Sequence, residues 1–213
     1  VLARNRSAGF TLIEVLVTVS IFAILVALTV PAMKAWVANT KVRTVADSLE
    51  NGIRLAQSEA ERLSRQVVFA LTNDNPPAIN FTAVTSGPYW AIQTVPLPGT
   101  GEAPTLIASG VLSSAGTVVN IAAGSANQTA LCFNSLGRLA FNATPGPGGA
   151  TCTPPTAPVA ANNTNNTQPM FTYTVSVAGA DHTLEVEVAT GGQLHLCDTS
   201  QTSTAANPNP YAC

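Results

Sequence analysis

Two hydrophobic patterns divide the first third of the chain. From Phe10 to Val30 apolar residues follow one another with Glu14 as the single charge. A helix rising about 1.5 Å per residue over that stretch crosses the roughly 30 Å hydrocarbon core of a bilayer. Farther on, Val42, Val45, Leu49, Ile53, Ala56, Ala60 and Leu63 recur at spacings of three and four, with Lys41, Arg43, Asp47, Glu50, Arg54, Glu59, Glu61 and Arg62 between them. That is the pattern of an amphipathic helix with one buried stripe and a mixed-charge, solvated face. Pro31 stands between the two patterns. A proline removes one backbone N–H and crowds the preceding turn, so the expectation is one long helix kinked at Pro31. Its membrane half covers residues 10–31 and its amphipathic half residues 32–65.

After residue 65 the pattern changes again. Short runs rich in Val, Ile, Phe, Thr and Tyr alternate with Gly, Pro, Asn and Ser, which is a strand signature. Candidate strands cover 66–71, 79–84, 89–95, 105–111, 117–122, 130–134, 138–142, 171–177, 183–189 and 193–197. Asn134-Ser135-Leu136-Gly137 and Thr190-Gly191-Gly192 read as tight hairpin turns. A long helix followed by a run of antiparallel strands predicts an α+β fold, with residues 66–213 forming one globular domain. Residues 144–169 and 200–210 are rich in Pro, Asn and Thr and read as long surface excursions. The Asn-x-Thr triplets at Asn162 and Asn165 are ordinary for so Asn- and Thr-rich a segment.

The segment ahead of the apolar run, residues 1–9, carries Arg4 and Arg6 and no acid. That asymmetry keeps the N-terminus in the cytoplasm and exports the rest. A plain membrane anchor fits this. A secretory signal cut after the run fits poorly, because the run exceeds the usual h-region of about 7–15 residues and no A-x-A-like site ends it. A third reading places the cut before the run. Gly9, then Phe10-Thr11-Leu12-Ile13-Glu14, then the apolar helix and Pro31, resembles the processing site of type IV prepilins and pseudopilins. The resemblance implies cleavage after Gly9 by a prepilin peptidase, N-methylation of Phe10 and loss of Arg4 and Arg6. It also implies a pilin fold, a long N-terminal helix packed on antiparallel sheets.

Glu14 then needs a physical reason. A carboxylate inside a bilayer costs a few kcal/mol, so it is either close enough to the interface to reach water or functional. The resemblance implies the second: Glu14 pairs with the Phe10 amine of a neighbouring subunit and sets register in the filament.

The four cysteines, Cys132, Cys152, Cys197 and Cys213, all fall on the exported side, where disulfides persist. No C-x-x-C spacing occurs, and His182 and His195 form no ligand cluster with them, which argues against a metal. Three pairings are open. The expected one is Cys132–Cys152 with Cys197–Cys213, because each bridge would pin one long excursion to a strand.

The stretches from Lys41 to Leu49 and from Leu55 to Ala60, the segment Cys132-Phe133-Asn134-Ser135-Leu136-Gly137-Arg138-Leu139 and the segment from Thr190 to Cys197 resemble the GspH/FimT group of minor pilins and pseudopilins. Residues 72–128 and 144–169 carry no such resemblance. The group implies a FimU-like minor pilin at or near the filament tip that helps prime assembly. Its partners would be other minor and major pilins, the prepilin peptidase and the inner-membrane assembly platform. The chain would sit in the inner membrane of a Gram-negative bacterium and then in a periplasm-spanning or extracellular pilus. A type II secretion pseudopilin and a DNA-binding pilin of natural transformation are the alternatives. No nucleophile–base–acid set, phosphate loop or dinucleotide fingerprint is present, so neither catalysis nor a cofactor is expected.

DNA binding is disfavoured by charge. DNA-binding relatives carry Gly-Arg-x-Arg in the C-terminal hairpin, where this chain reads Gly192-Gln193-Leu194-His195. From Gln66 on, Arg138 is the one Lys or Arg, against Asp74, Glu102, Asp181, Glu185, Glu187 and Asp198. Phosphate binding needs clustered cations.

The processing expectation is checked by intact-mass analysis of chain extracted from peptidase-competent membranes. The expected mass begins at N-methyl-Phe10; a mass that retains residues 1–9 contradicts it.

Overall fold

The computed structural model describes residues 9–97, 99–112, 119–123, 129–142, 152–154, 170–204 and 207–213, with backbone only at 31–32 and 119–123. One helix, α1 (Leu12–Leu63), is followed by nine strands: β1 (Val67–Thr72), β2 (Ala83–Val84), β3 (Tyr89–Thr94), β4 (Leu106–Val111), β5 (Val119–Ala123), β6 (Ala130–Phe133), β7 (Met170–Val177), β8 (Leu184–Ala189) and β9 (Leu194–Asp198). The architecture is a long N-terminal helix packed on antiparallel sheets, the α+β fold expected.

Helix α1 runs unbroken through Pro31, so the proline does not end it. Thr11 caps its start, accepting the Glu14 backbone N–H on Oγ1 at 3.3 Å. Its end is a left-handed Ser64, φ 50°, with Ser64 N–H donating to the Glu61 carbonyl and Arg65 N–H to that of Ala60. This is a Schellman cap with serine in the place glycine usually takes, and it stops the helix at Leu63, two residues short of the expected boundary at 65.

The strands form two antiparallel sheets. The first has the order β2-β1-β3-β4, with β6 also paired to β1; the second has the order β5-β7-β8-β9. Helix α1 lies on both. Its stripe of Val42, Val45, Ala46, Leu49, Ile53, Ala56 and Ala60 is buried against Phe69, Leu71, Ile92 and Phe133 of one sheet and Phe171, Tyr173, Val175, Val186 and Val188 of the other. Aromatic rings join the two sheets beneath the helix. Trp90 stacks on Phe69 at 5.9 Å, Phe69 meets the edge of Tyr173 at 6.1 Å, and Tyr173 meets Phe171 at 4.9 Å. Burial alone pushes the Tyr173 phenol well above its ordinary pKa.

One expected strand is not formed and another is cut short. Residues 138–142 make only isolated bridges, Phe133 with Leu139 and Asn142 with Cys152. The reason lies in their divided loyalties: Leu139 N–H donates to Thr190 beside the second sheet, while Ala140 N–H donates to Cys132 of the first. No single ladder continues. Of residues 79–84 only Ala83 and Val84 pair as a strand. The stretch before them is held by a Phe81–Ala78 turn, by Asp74, which accepts the Thr82 N–H, and by Gln93, whose amide donates to the carbonyls of Ala78 and Ile79. The other strands match their sequence expectations to within two residues at either end.

Two glycines make room for Trp90. A Cβ on Gly110 would lie 2.6 Å from the indole, and one on Gly52 would lie 3.2 Å from the rings of Phe69 and Trp90. Gly110→Val is therefore expected to destabilise by about 1–3 kcal/mol through overpacking. In a double-mutant cycle with Trp90→Leu, the two losses are expected to be less than additive. Chemical denaturation of the full chain in detergent measures this, and strict additivity contradicts the account.

Candidate functional site

The two halves of α1 live in different surroundings. From Leu12 to Val30 every residue is exposed, Leu28 at 72 % and, just ahead of the helix, Phe10 at 83 %. This is the one helix long and apolar enough to cross a membrane among the described residues. Its hydroxyls do not spoil that character. Thr18, Ser20 and Thr29 each donate to a carbonyl three or four residues back, so no hydroxyl proton is left to water. Glu14 is different. Among the described residues, no side chain pairs with its carboxylate. It occupies the third helical position after the Thr11 cap, where a carboxylate also faces the positive end of the helix dipole. The Thr-x-x-Glu spacing was present in the sequence, and its Thr11 half is formed, with Oγ1 accepting the Glu14 N–H.

The second half is clamped to the domain by polar contacts. Asn39 donates to Asp181 Oδ2 at 3.2 Å and accepts the Asp181 N–H at 2.8 Å, tying the helix to the β7–β8 turn. Gln57 donates to the carbonyls of Gly137 and Gly192 at 2.8 and 3.1 Å. One amide thereby holds both hairpin turns to the helix. Gly137 and Gly192 have φ of +70° and +91°, and a Cβ on Gly192 would strike the Gly137 carbonyl, so both turns require glycine. Charges on the exposed helix face pair along the helix, Glu50 with Arg54, Glu59 with Arg62 and Arg43 with Asp47. Such exposed pairs contribute little stability.

The structure brings Cys132 of β6 to Cys152 and Cys197 of β9 to Cys213, with Cα separations of 5.6 and 5.0 Å. The first bridge anchors the buried Cys152, whose carbonyl accepts the Asn142 N–H. The second fastens residues 207–213 along β9, where Asp198 N–H donates to the Tyr211 carbonyl at 2.7 Å. In the chain-entropy account, loops of this size contribute roughly 3 kcal/mol each. Glu185, Glu187, Cys197 and Cys213 bring ligand-type atoms within 4.8 Å of one another. Both sulfurs are bonded to each other, which leaves two carboxylates and no metal-binding set there. The Asn162 and Asn165 triplets and most of the 144–169 excursion lie outside the described residues.

Both histidines pair with an acid at the surface. His182 Nδ1 lies 2.9 Å from Asp198 Oδ2 and 3.1 Å from Ser200 Oγ. His195 Nδ1 lies 3.2 Å from the buried Glu187 Oε2, and its Nε2 lies 3.0 Å from the Pro210 carbonyl oxygen. Beside it, burial holds the Glu185 carboxyl above its ordinary range, against a hydrogen bond from Thr174. The hairpin corresponding to the DNA-binding element is therefore backed by acid. Sequence reasoning missed these pairs because they join neighbouring strands whose register was unknown.

The prokaryotic N-terminal methylation motif matches residues 4–30. That span takes in Gly9, Phe10 and Glu14 and continues into a helix docked on two antiparallel sheets. The methylation motif thus sits at the head of the long helix. In structure the chain is similar to the type IV minor pilin FimU of Pseudomonas aeruginosa in two crystal forms. In space group P65 the identity is 17 %, with 75 % of this chain and 94 % of FimU covered and a TM-score of 0.46. In space group P21 the identity is 16 %, with coverage of 76 % and 92 % and a TM-score of 0.49. No curated protein matches the chain in sequence.

Arg65, just past the helix end, grips Glu102 with two hydrogen bonds of 2.7 and 2.8 Å and donates a third to the Val95 carbonyl. These bonds hold the Glu102 carboxyl below its ordinary range. A lowered carboxyl pKa contributes stability above the unfolded value, about 4.3, and loses it as pH falls through the folded value. Thermal unfolding of the full chain is therefore expected to lose more Tm between about pH 5 and pH 3 than that of Glu102→Gln; parallel acid limbs contradict this.

Proposed function

We propose that the chain is a minor type IV pilin, a structural subunit at or near the filament tip that helps prime pilus assembly. The observation that carries this reading is the N-terminal half of α1. Within the single chain it is apolar and exposed on every side, and its one carboxylate, Glu14, has no partner among the described residues. Such a surface is covered first by lipid and then by the same helices of neighbouring subunits. Cleavage between Gly9 and Phe10 by a prepilin peptidase supplies a new amine at Phe10. In the filament, Glu14 pairs with that amine on an adjacent pilin. The desolvated pair is worth more than either charge alone in hydrocarbon, so it selects one axial register. The second half of α1 presents the disulfide-bonded domain on the exported side, which suits a subunit that specialises the end of a filament.

Charge argues against DNA uptake. Gln193 is exposed and His195 is committed to Glu187 and Pro210, so the hairpin offers no phosphate clamp. Arginine at position 195 would meet the Glu187 carboxylate first, so position 193 is the better place to build a phosphate contact.

The test compares wild type with Glu14→Ala in membranes and in sheared pili. Both are expected in the membrane fraction. Wild type is expected in the sheared fraction at a small ratio to the major subunit, with the variant several-fold lower. Wild type missing from sheared pili refutes the pilus assignment and favours a type II secretion pseudopilin. Equal incorporation of the two refutes the role of Glu14.

A further inference from the structure

The C-terminal segment is held against β9 by a contact whose chemistry depends on protons. His195 faces an oxygen on each side, Glu187 Oε2 at 3.2 Å from Nδ1 and the Pro210 carbonyl at 3.0 Å from Nε2. Neither oxygen donates unless Glu187 is protonated. Satisfying both contacts therefore takes two protons across the pair, either imidazolium facing carboxylate or neutral imidazole facing carboxylic acid. Both forms leave the pair neutral overall, which suits a glutamate that is 2 % exposed.

The other charged and titratable groups around His195 sharpen this. On β8 they are Glu187 and Glu185, and on β9 Cys197 is bridged. From β7 come Thr172 and Thr174, opposite Glu187 and Glu185, and neither carries charge. The C-terminal segment brings no charged side chain, only the Tyr211 phenol. Asp198 is occupied with His182, and Arg43 of α1 lines a cavity bordered by Leu196, Cys197, Asp198 and Tyr211 of the same segment. Among the described residues, His195 is the basic side chain that pairs with Glu187. Glu187 Oε1 has no hydrogen-bond partner there.

We propose that His195 and Glu187 form a proton-operated latch on residues 207–213. Loss of one proton leaves a single N–H for two oxygens. The Glu187 side is shut off from water, whereas the imidazole and its Pro210 contact are at the surface. The N–H therefore stays with the buried carboxylate, and water replaces the contact to Pro210. The segment loosens, and the Asp198 amide on the outer edge of the sheet loses its Tyr211 acceptor. An edge amide freed in this way is available to another strand. The Cys197–Cys213 bridge keeps the opening local and reversible. Acid closes the latch and alkali opens it, with up to about a tenfold change in the opening equilibrium per pH unit for one linked proton.

Amide hydrogen exchange of the full chain in detergent tests this at the Asp198 amide, with rates divided by the intrinsic rate at each pH. In wild type, protection is expected to fall at least about fivefold from pH 5.5 to pH 8.5. His195→Gln keeps a donor for Pro210 but has no proton to lose, and its protection is expected to be flat. In Glu187→Gln the amide donates to Nδ1 and leaves the N–H on Nε2 for Pro210, so the latch is expected to stay closed at both pH values. Flat protection in wild type, or an equal fall in His195→Gln, overturns the proposal. So does a fall abolished by His182→Asn but retained in His195→Gln. Circular dichroism at both pH values verifies that each variant is folded, and the His195→Gln comparison stands alone if Glu187→Gln is not.

Discussion

One helix stripe is shared by two sheets, and the rest of the domain depends on that arrangement. Val42, Leu49, Ile53, Ala56 and Ala60 cannot be buried by either sheet alone. Each sheet in turn needs the helix to cover its apolar face. The rings of Trp90, Phe69, Tyr173 and Phe171 fill the seam, and the small residues around them, Gly52 and Gly110, exist because rings of that size must fit. At roughly 25 cal/mol per Å² of apolar surface, these side chains supply the main attraction between layers. Polar contacts then set alignment. Asn39 fixes one end of the docked helix, and Gln57, by gripping both hairpin turns, fixes the other.

The same helix has two solvents. Its C-terminal half is made stable by the domain that it carries. Its N-terminal half is covered by nothing within the chain, and an apolar cylinder with satisfied hydroxyls has no favourable state in water, which is why the proposed function gives it lipid and then similar helices as cover. Glu14 is the exception in that surface; in the filament proposed above, a single charge in an apolar seam would select register, because every wrong alignment leaves it unpaired.

The outer face of the second sheet follows another rule. Glu185 and Glu187 are covered by a C-terminal segment held by a disulfide and by His195. Covering acids costs solvation, and the chain offsets it with a single imidazole and a threonine hydroxyl. A site so economical in cations suits neither polyanion binding nor a tightly held metal, but it couples the segment above it to protons.

The one-dimensional pattern determined much of this protein. The apolar run with Glu14, the stripe from Val42 to Leu63 and the alternation after residue 65 report local periodicities, which need no knowledge of partners. The leader pattern around Gly9 and Phe10 is also contiguous, and so it was readable at once. Tertiary structure decided everything that depends on which strand lies beside which. Residues 138–142 read as a strand, yet they are split between two sheets because Leu139 and Ala140 find acceptors in different places. The stripe ends at a left-handed Ser64, a choice made by cap geometry that composition does not encode. His195 meets Glu187 only because the β8–β9 register sets it opposite that residue, with Pro210 on its far side. Pairings across strands depend on a register that shifts every side chain to the opposite face with a one-residue slip, and only the packed sheets fix that register.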